Sequence, residues 1–309
     1  MQRQPQRLRG RPVRGAGSPV ALSDAPPSAP GLSGVVWALL ASAVLVPLGV
    51  LAIGAWLAWG EAWRQAESEL ARTADAAAEY AARVLDGHLL LAKRVDDLLK
   101  DLPDSAIRDN EARLHSAMQR MAATRPSVLT LYAIDARGRP LVSANMFPVP
   151  RDASLEDRDF FTALRGPDAP AVFVSKVHVG RFDGQLFFSV AQRHGSSVKS
   201  GDLPGETAFR GVVLASLRPN ELAARLRQPA GERSDRLALV RTDGELLART
   251  REFESPPQTL GADSPMRPIM EAGTDRTVVR GRSGVDGLER VAAYKRVEGW
   301  PVYTLVARP

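Results

Sequence analysis

LYAIDARGRPLVSA, residues 131–144, has a counterpart further along the chain in LALVRTDGELLART, residues 237–250, with Gly138 lying over Gly244. Each copy reads as two short apolar runs around small turn residues, the pattern of a β-hairpin. A second pair follows in the same order. FDGQLFFSVAQR (182–193) lies over VDGLERVAAYKR (285–296), Asp-Gly over Asp-Gly, and Asp-Gly between apolar runs is a strong hairpin signal. A short helix lies between the two hairpins, near Leu155–Leu164 in the first copy, and a last strand closes each unit, Phe209–Leu217 and Trp300–Val306. The order of elements carries this repeat more than its identity does. It predicts an α+β protein with two tandem modules, each a roughly five-stranded antiparallel sheet with helices on one face.

Outward from the repeat, the chain becomes helical toward its N-terminus. A helix is predicted over Ala106–Thr124, ahead of Pro126, and another near Pro219–Arg227 with Pro at its start. Residues 61–102 contain no Pro and are rich in Ala, Leu, Glu and Arg, all good helix formers. Apolar or small residues recur there from Trp63 through Leu70, Ala77, Val84, Leu91 and Leu98 in steps of three and four, a heptad stripe with one stutter. Such a helix spans about 60 Å. The stripe can pair with the same stripe of a second copy, giving a homodimer, or can carry the chain's own modules, and both can hold along different lengths. His88 on this stripe reads as a packing residue.

GVVWALLASAVLVPLGVLAIGAWLAWG, residues 34–60, lies in a stretch without a charge from Asp24 to Glu61. About 20 apolar residues suffice to cross a bilayer. Pro47 is tolerated in a membrane helix, and Trp37, Trp56, Trp59 and Trp63 sit toward the ends, where interfacial aromatics belong. A cleaved signal peptide is the rival reading; the run is long for one, and no small-residue cleavage site follows. Five Arg precede the run, and Glu61, Arg64, Glu67 and Glu69 follow it. Positive charge stays inside, so residues 1–33 are expected to be a disordered cytoplasmic tail and the bulk to lie in the periplasm, anchored once in the inner membrane.

The 309-residue chain has a net charge of +6, a pI near 10.0 and no Cys. The basic character is local: Arg3, Arg7, Arg9, Arg11 and Arg14 against Asp24 hold four of the six charges, leaving two for everything after residue 30. A nucleic-acid binder is therefore not expected. Absence of Cys excludes disulfides and thiol catalysis. The sequence has no Walker A motif, no HExxH and no Gly-x-Ser-x-Gly, and its four His are scattered. No enzyme, cofactor or metal site is predicted.

DRDFFTALRGPDAPAVFVSKVHVGRFDGQLFFSVAQR (157–193) together with FRGVVLASLRPNEL (209–222) resembles the double Cache (PDC) sensor domains of bacterial receptors, among them histidine kinases, diguanylate cyclases and chemoreceptors. The resemblance covers about residues 61–309 and rests on the Asp-Arg-x-aromatic-aromatic helix, the Val-Ser strand and the Gly-containing hairpin. It implies PAS-like modules, with a ligand-binding membrane-distal module over 103–230 and a membrane-proximal module over 231–309. By that resemblance Arg158 holds a ligand carboxylate and Phe160 and Phe161 wall the pocket, with Tyr132, Phe173 and Ser175 beside them. The planar guanidinium fork suits a carboxylate. Phe173-Val174-Ser175 stands where the amino-acid-sensing subgroup has an acidic residue for the ligand amine, which points away from an α-amino acid. Lys176 and His178 are further candidate donors. In a regular strand Phe173 and Ser175 share one face and Lys176 and His178 the other.

The expectation is thus a sensory module that binds a small ligand. The alternative is a dimeric membrane-anchored scaffold without one. A receptor of this kind continues into an output domain, whereas the sequence ends at Val306-Ala307-Arg308-Pro309. That leaves a truncated receptor or a separate output protein as partner.

Overall fold

A computed structural model describes residues 32–195, 209–226, 236–250, 259–282 and 287–308. The expected tail lies outside them up to residue 31, as do turn residues 285–286 of the second Asp-Gly hairpin. The chain forms two compact units, residues 1–60 and 61–309.

The first unit is described from Leu32 and is helical throughout, with every side chain from Gly34 to Gly60 exposed. It is the N-terminal part of α1 (Leu32–Leu99), with Pro47 inside it. Among the described residues α1 is the one helix long and apolar enough to cross a membrane.

In the second unit α1 is followed by α2 (Asp104–Asp109) and α3 (Glu111–Ala123). The single helix predicted here breaks at Asn110, whose backbone N–H and side-chain amide both bond the Ala106 carbonyl. The break aims Glu111 inward, where its buried carboxylate accepts the Val149 N–H at 2.7 Å.

The first sheet contains β1 (Val128–Asp135), β2 (Pro140–Ser143), β3 (Phe173–Val174), β4 (His178–Val179), β5 (Leu186–Arg193) and β6 (Gly211–Leu217). Its order is β2-β1-β6-β5-β3, with β4 also pairing β5. Helix α4 (Asp159–Arg165) lies between β2 and β3 in sequence, and α5 (Pro219–Leu226) follows β6. The second sheet contains β7 (Arg236–Arg241), β8 (Leu246–Arg249), β9 (Arg276–Arg282), β10 (Glu289–Arg296) and β11 (Val302–Arg308), with α6 (Met266–Glu271) between β8 and β9. Its order is β8-β7-β11-β10-β9. The last strand of each copy therefore enters the middle of its sheet, and all pairs are antiparallel.

The repeat extends to local detail. The register of the first hairpin slips between Ala133 and Ile134, and that of its counterpart slips between Leu239 and Val240. Gly138 and Gly244 both take positive φ, 75° and 94°, a conformation that glycine adopts without strain. Their carbonyls accept the Leu155 and Leu260 N–H groups at 2.8 and 2.9 Å.

Strand alternation divides the first module into two layers. Leu131, Ala133, Val213 and Ala215 face a core with Leu91, Val95 and Leu99 of α1 and with α2 and α3. Tyr132, Ile134, Val212 and Leu214 face the other way, toward α4. Leu70, Ala74, Ala77, Ala81 and Leu85 of α1 enter a larger core with the second sheet and α5. Over Leu70–Leu99 the heptad stripe is thus occupied by the chain's own modules. His88, 1% exposed, sits where α1 passes from one core to the other.

Candidate functional site

A cavity of about 60 Å³ opens on the α4 side of the first sheet. Roughly 10–15 Å³ of such space holds one water, so the cavity takes about four to six waters or a ligand with about as many non-hydrogen atoms. Ile134, Leu155, Phe160, Phe187 and Leu214 give it an apolar floor and wall. Arg158 at the start of α4, Tyr132 on β1, and Arg181 and Asp183 in the β4–β5 turn bring polar groups to it.

Arg158 precedes α4 in an extended conformation, with φ −77° and ψ 138°. Its Nη1 faces His178 Nδ1 at 3.1 Å, and its Nη2 donates to the Val179 carbonyl at 3.1 Å. Burial lowers the pKa of this guanidinium, against the opposing charge of Asp157. Arg158 Nε and Tyr132 Oη are both buried without a hydrogen-bond partner among the described residues. Burial raises the pKa of the Tyr132 hydroxyl, with help from the charges of Glu111 and Asp183, so it stays a neutral donor. A buried donor left unpaired costs about 1–3 kcal/mol. Two such donors on residues that line one small cavity favour an acceptor brought to them, and a carboxylate supplies two oxygens.

The β4–β5 turn closes the cavity. Arg181 bonds the Ser154 carbonyl at 2.5 Å and Asp157 at 2.7 Å, which ties the turn to the segment ahead of α4. Asp183 Oδ1 accepts the Gln185 N–H at 3.1 Å. A Cβ on Gly180 would meet that oxygen at 2.0 Å, so any larger residue there would push the Asp183 side chain off the turn.

Of the six residues expected at the site, Arg158, Phe160 and Tyr132 line the cavity together. Phe161, 1% exposed, points into the core and packs edge-on against Phe209 at 5.4 Å. Phe173 lies under the Arg241 guanidinium of the second module, 5.4 Å from its ring centre. Ser175 is fully buried, with its hydroxyl accepting the Ser189 N–H at 2.8 Å and donating to the Lys176 carbonyl at 2.8 Å. Lys176 Nζ pairs with Glu245 at 3.1 Å. The pairing with β5 shifts by one residue between β3 and β4. The phase of alternation slips there, and His178 joins Phe173 on the α4 side. The sequence reading missed Asp183 and Arg181. Asp183 was legible only as a turn residue, although the same carboxylate that closes the turn also borders the cavity.

No protein-family model matches the chain, and no curated protein matches it. Solved structures do. The extracellular domain of the histidine kinase rpHK1S-Z16 is 20% identical with a TM-score of 0.61, covering 80% of this chain and 95% of that one. The ligand-binding domain of Pseudomonas aeruginosa amino acid chemoreceptor PctC, solved with GABA, is 16% identical with a TM-score of 0.54, covering 79% and 100%. That of Campylobacter jejuni chemoreceptor Tlp3, solved with L-norvaline, is 11% identical with a TM-score of 0.53, covering 80% and 91%. The fold is that of the extracellular sensor domains of histidine kinases and chemoreceptors, the double Cache architecture.

Proposed function

We propose that this chain is the extracytoplasmic ligand-sensing part of a bacterial receptor, and that its ligand is a small carboxylate held in the cavity by Arg158 and Tyr132. The observation that carries the reading is a pair of donors, Arg158 Nε and Tyr132 Oη, buried without a partner among the described residues and carried by two residues that line one cavity of about 60 Å³. In this reading residues 34–60 anchor the chain in the inner membrane with residues 1–33 in the cytoplasm. Residues 103–230 are the ligand-binding, membrane-distal module and residues 231–309 the proximal one. A separate or continuing output domain reports the signal. The chain binds and does not catalyse.

Asp183 supports a narrower reading. An acid lining the cavity can take a ligand ammonium, so a compact amino acid suits the site; chemoreceptor domains of this fold were solved with the amino acids L-norvaline and GABA.

The test is a thermal-shift and calorimetric screen of the full chain in nanodiscs with acetate, propionate, lactate and alanine. Charge-assisted hydrogen bonds contribute about 1.5–3 kcal/mol each, so Arg158→Ala is expected to weaken the best carboxylate about 10- to 100-fold. Undiminished binding by a folded Arg158→Ala chain sinks the assignment. If alanine outranks propionate and Asp183→Asn removes that preference, the ligand is an amino acid.

A further inference from the structure

Arg241 belongs to β7 of the second module, yet its contacts run into the first. It is 7% exposed. Its Nη1 donates to Asp159 Oδ2 at 3.1 Å and to the Val174 carbonyl at 2.8 Å, and its guanidinium lies over the Phe173 ring. Asp243 holds its other edge through Nε at 2.9 Å. Asp159 in turn accepts His178 Nε2 at 2.7 Å on Oδ1 and the Lys176 N–H at 2.8 Å on Oδ2. His178 Nδ1 meets Arg158 at 3.1 Å. An unbroken line of bonds, Arg241–Asp159–His178–Arg158, thus leads from the second module to the wall of the cavity.

Its hydrogen bookkeeping is forced. Arg158 can only donate, so His178 Nδ1 accepts, and the ring proton sits on Nε2, where it points at the Asp159 carboxylate. Asp159 is ionised: burial pushes its pKa up, but the His178 bond, the Lys176 amide and the Arg241 charge outweigh that and hold it low. Arg241 is raised despite burial by Asp243 and Asp159. Each member fixes the orientation of the next.

The repeat shows that Arg241 is a departure from its counterpart. Asp135 occupies the same place in the first module, since Asp135 pairs with Gly211 and Arg241 with Val302, the first residues of β6 and β11. Asp135 turns back on its own hairpin and accepts the Arg137 and Arg139 N–H groups at 2.9 and 2.8 Å. In the second module Asp243 accepts the turn N–H of Glu245 instead, and the residue at the strand end reaches across.

We propose that Arg241 is a positioning residue of the ligand site: acting through Asp159 and His178, it sets the orientation of Arg158 and couples the second module to the cavity. The proposal rests on the assignment of Arg158 to that site. A carboxylate that engages Arg158 Nε leaves Nη1 on His178, and by reciprocity the factor by which a change at Arg241 alters ligand affinity is the factor by which the ligand alters the equilibrium at Arg241.

The test has a readout that needs no ligand. The full chain in nanodiscs, labelled with 15N on the imidazole rings, has four His, and His178→Gln identifies one signal. The expected wild-type spectrum shows His178 as the Nε2–H tautomer. Arg241→Gln is expected to mix its tautomers and to weaken propionate about three- to tenfold, and that loss is expected to vanish in an Arg158→Ala background. An unchanged His178 signal, or a loss of affinity that simply adds to that of Arg158→Ala, overturns the proposal. If Arg241→Gln does not fold, Asp243→Asn decides by the same spectrum: a shift toward mixed tautomers supports the relay, and none refutes it. If wild type binds none of the carboxylates, the ligand reading falls, while the spectrum still decides whether the relay exists.

Discussion

Tyr132→Phe is expected to stabilise the empty protein and weaken the ligand, two effects of opposite sign from one oxygen atom. The Tyr132 hydroxyl is buried without a partner among the described residues, and the residue is 7% exposed. Leaving such a group unpaired costs about 1–3 kcal/mol. Water in the cavity offsets part of this, so the low end applies, about 1 kcal/mol. In a folded unit of about 250 residues that raises Tm by about 2–4 °C. With ligand the sign reverses. A hydrogen bond to a charged acceptor contributes about 1.5 kcal/mol or more, so the variant binds about tenfold more weakly. Ligand at 100 times the wild-type Kd stabilises wild type by about 2.7 kcal/mol, and at the same concentration stabilises the variant by about 1.4 kcal/mol. The assay is thermal unfolding of both proteins in nanodiscs, with and without the carboxylate selected by the screen. A variant that melts lower when empty, yet shows the full ligand shift, refutes the reasoning, because its hydroxyl would then be bonded within the protein and idle toward the ligand.

Two further outcomes follow from α1. Burial, aided by the charge of Arg125, holds the His88 pKa below its ordinary 6.5. The unfolded chain therefore takes up a proton that the folded chain resists, and the stability conferred by a neutral His88 is lost as pH falls from about 6.5. The stability difference between wild type and His88→Asn should shrink over that fall, and a difference constant from pH 8 to 5 contradicts the account. The exposed face of α1 carries Glu79, Arg83, Asp86, Leu90, Lys93 and Asp97 in steps of three and four, and Leu90 is 46% exposed. A homodimer through the long helix would have to use this face over Leu70–Leu99, since the opposite stripe is occupied. The chain has no native Cys, so Leu90→Cys in membranes should give one disulfide-linked species under mild oxidation, and an unlinked chain argues for a monomer.

The repeat made the two sheets legible because its signals are local: small turn residues, Asp-Gly turns and alternating apolar runs. Local signals also explain what was missed. Nothing in Phe173-Val174-Ser175 announces that a serine hydroxyl will take a strand-pairing hydrogen bond at Ser189 or that the alternation will slip. Asn110 looks like an ordinary helix residue until the buried Glu111 is seen to need its turn toward Val149. Arg158 and Phe160 were legible through the resemblance, since both lie in the one Asp-Arg-x-aromatic-aromatic segment. Arg181, Asp183 and Arg241 reach their places only through tertiary contacts.

The two modules share turns, register slips and strand order, so their differences bear on where a ligand would sit. The strand pairings match position by position: Thr130 with Ser216 and Tyr132 with Leu214 in the first module, Arg236 with Ala307 and Ala238 with Leu305 in the second. Tyr132 and Ser216, which line the cavity, thus have alanine counterparts, Ala238 and Ala307. An alanine side chain offers no hydrogen-bond donor and leaves no polar group unpaired when buried. At these positions the second module can be packed dry, whereas the first leaves Tyr132 unpartnered at a buried site, a cost that selection readily removes unless something pairs with the hydroxyl. A buried tyrosine hydroxyl without a partner among the described residues in one copy, against an alanine in the other, fits a binding site in the first module. The exchange of Asp135 for Arg241 at the matching strand end then gives the second module its contact with Asp159, two bonds from Arg158.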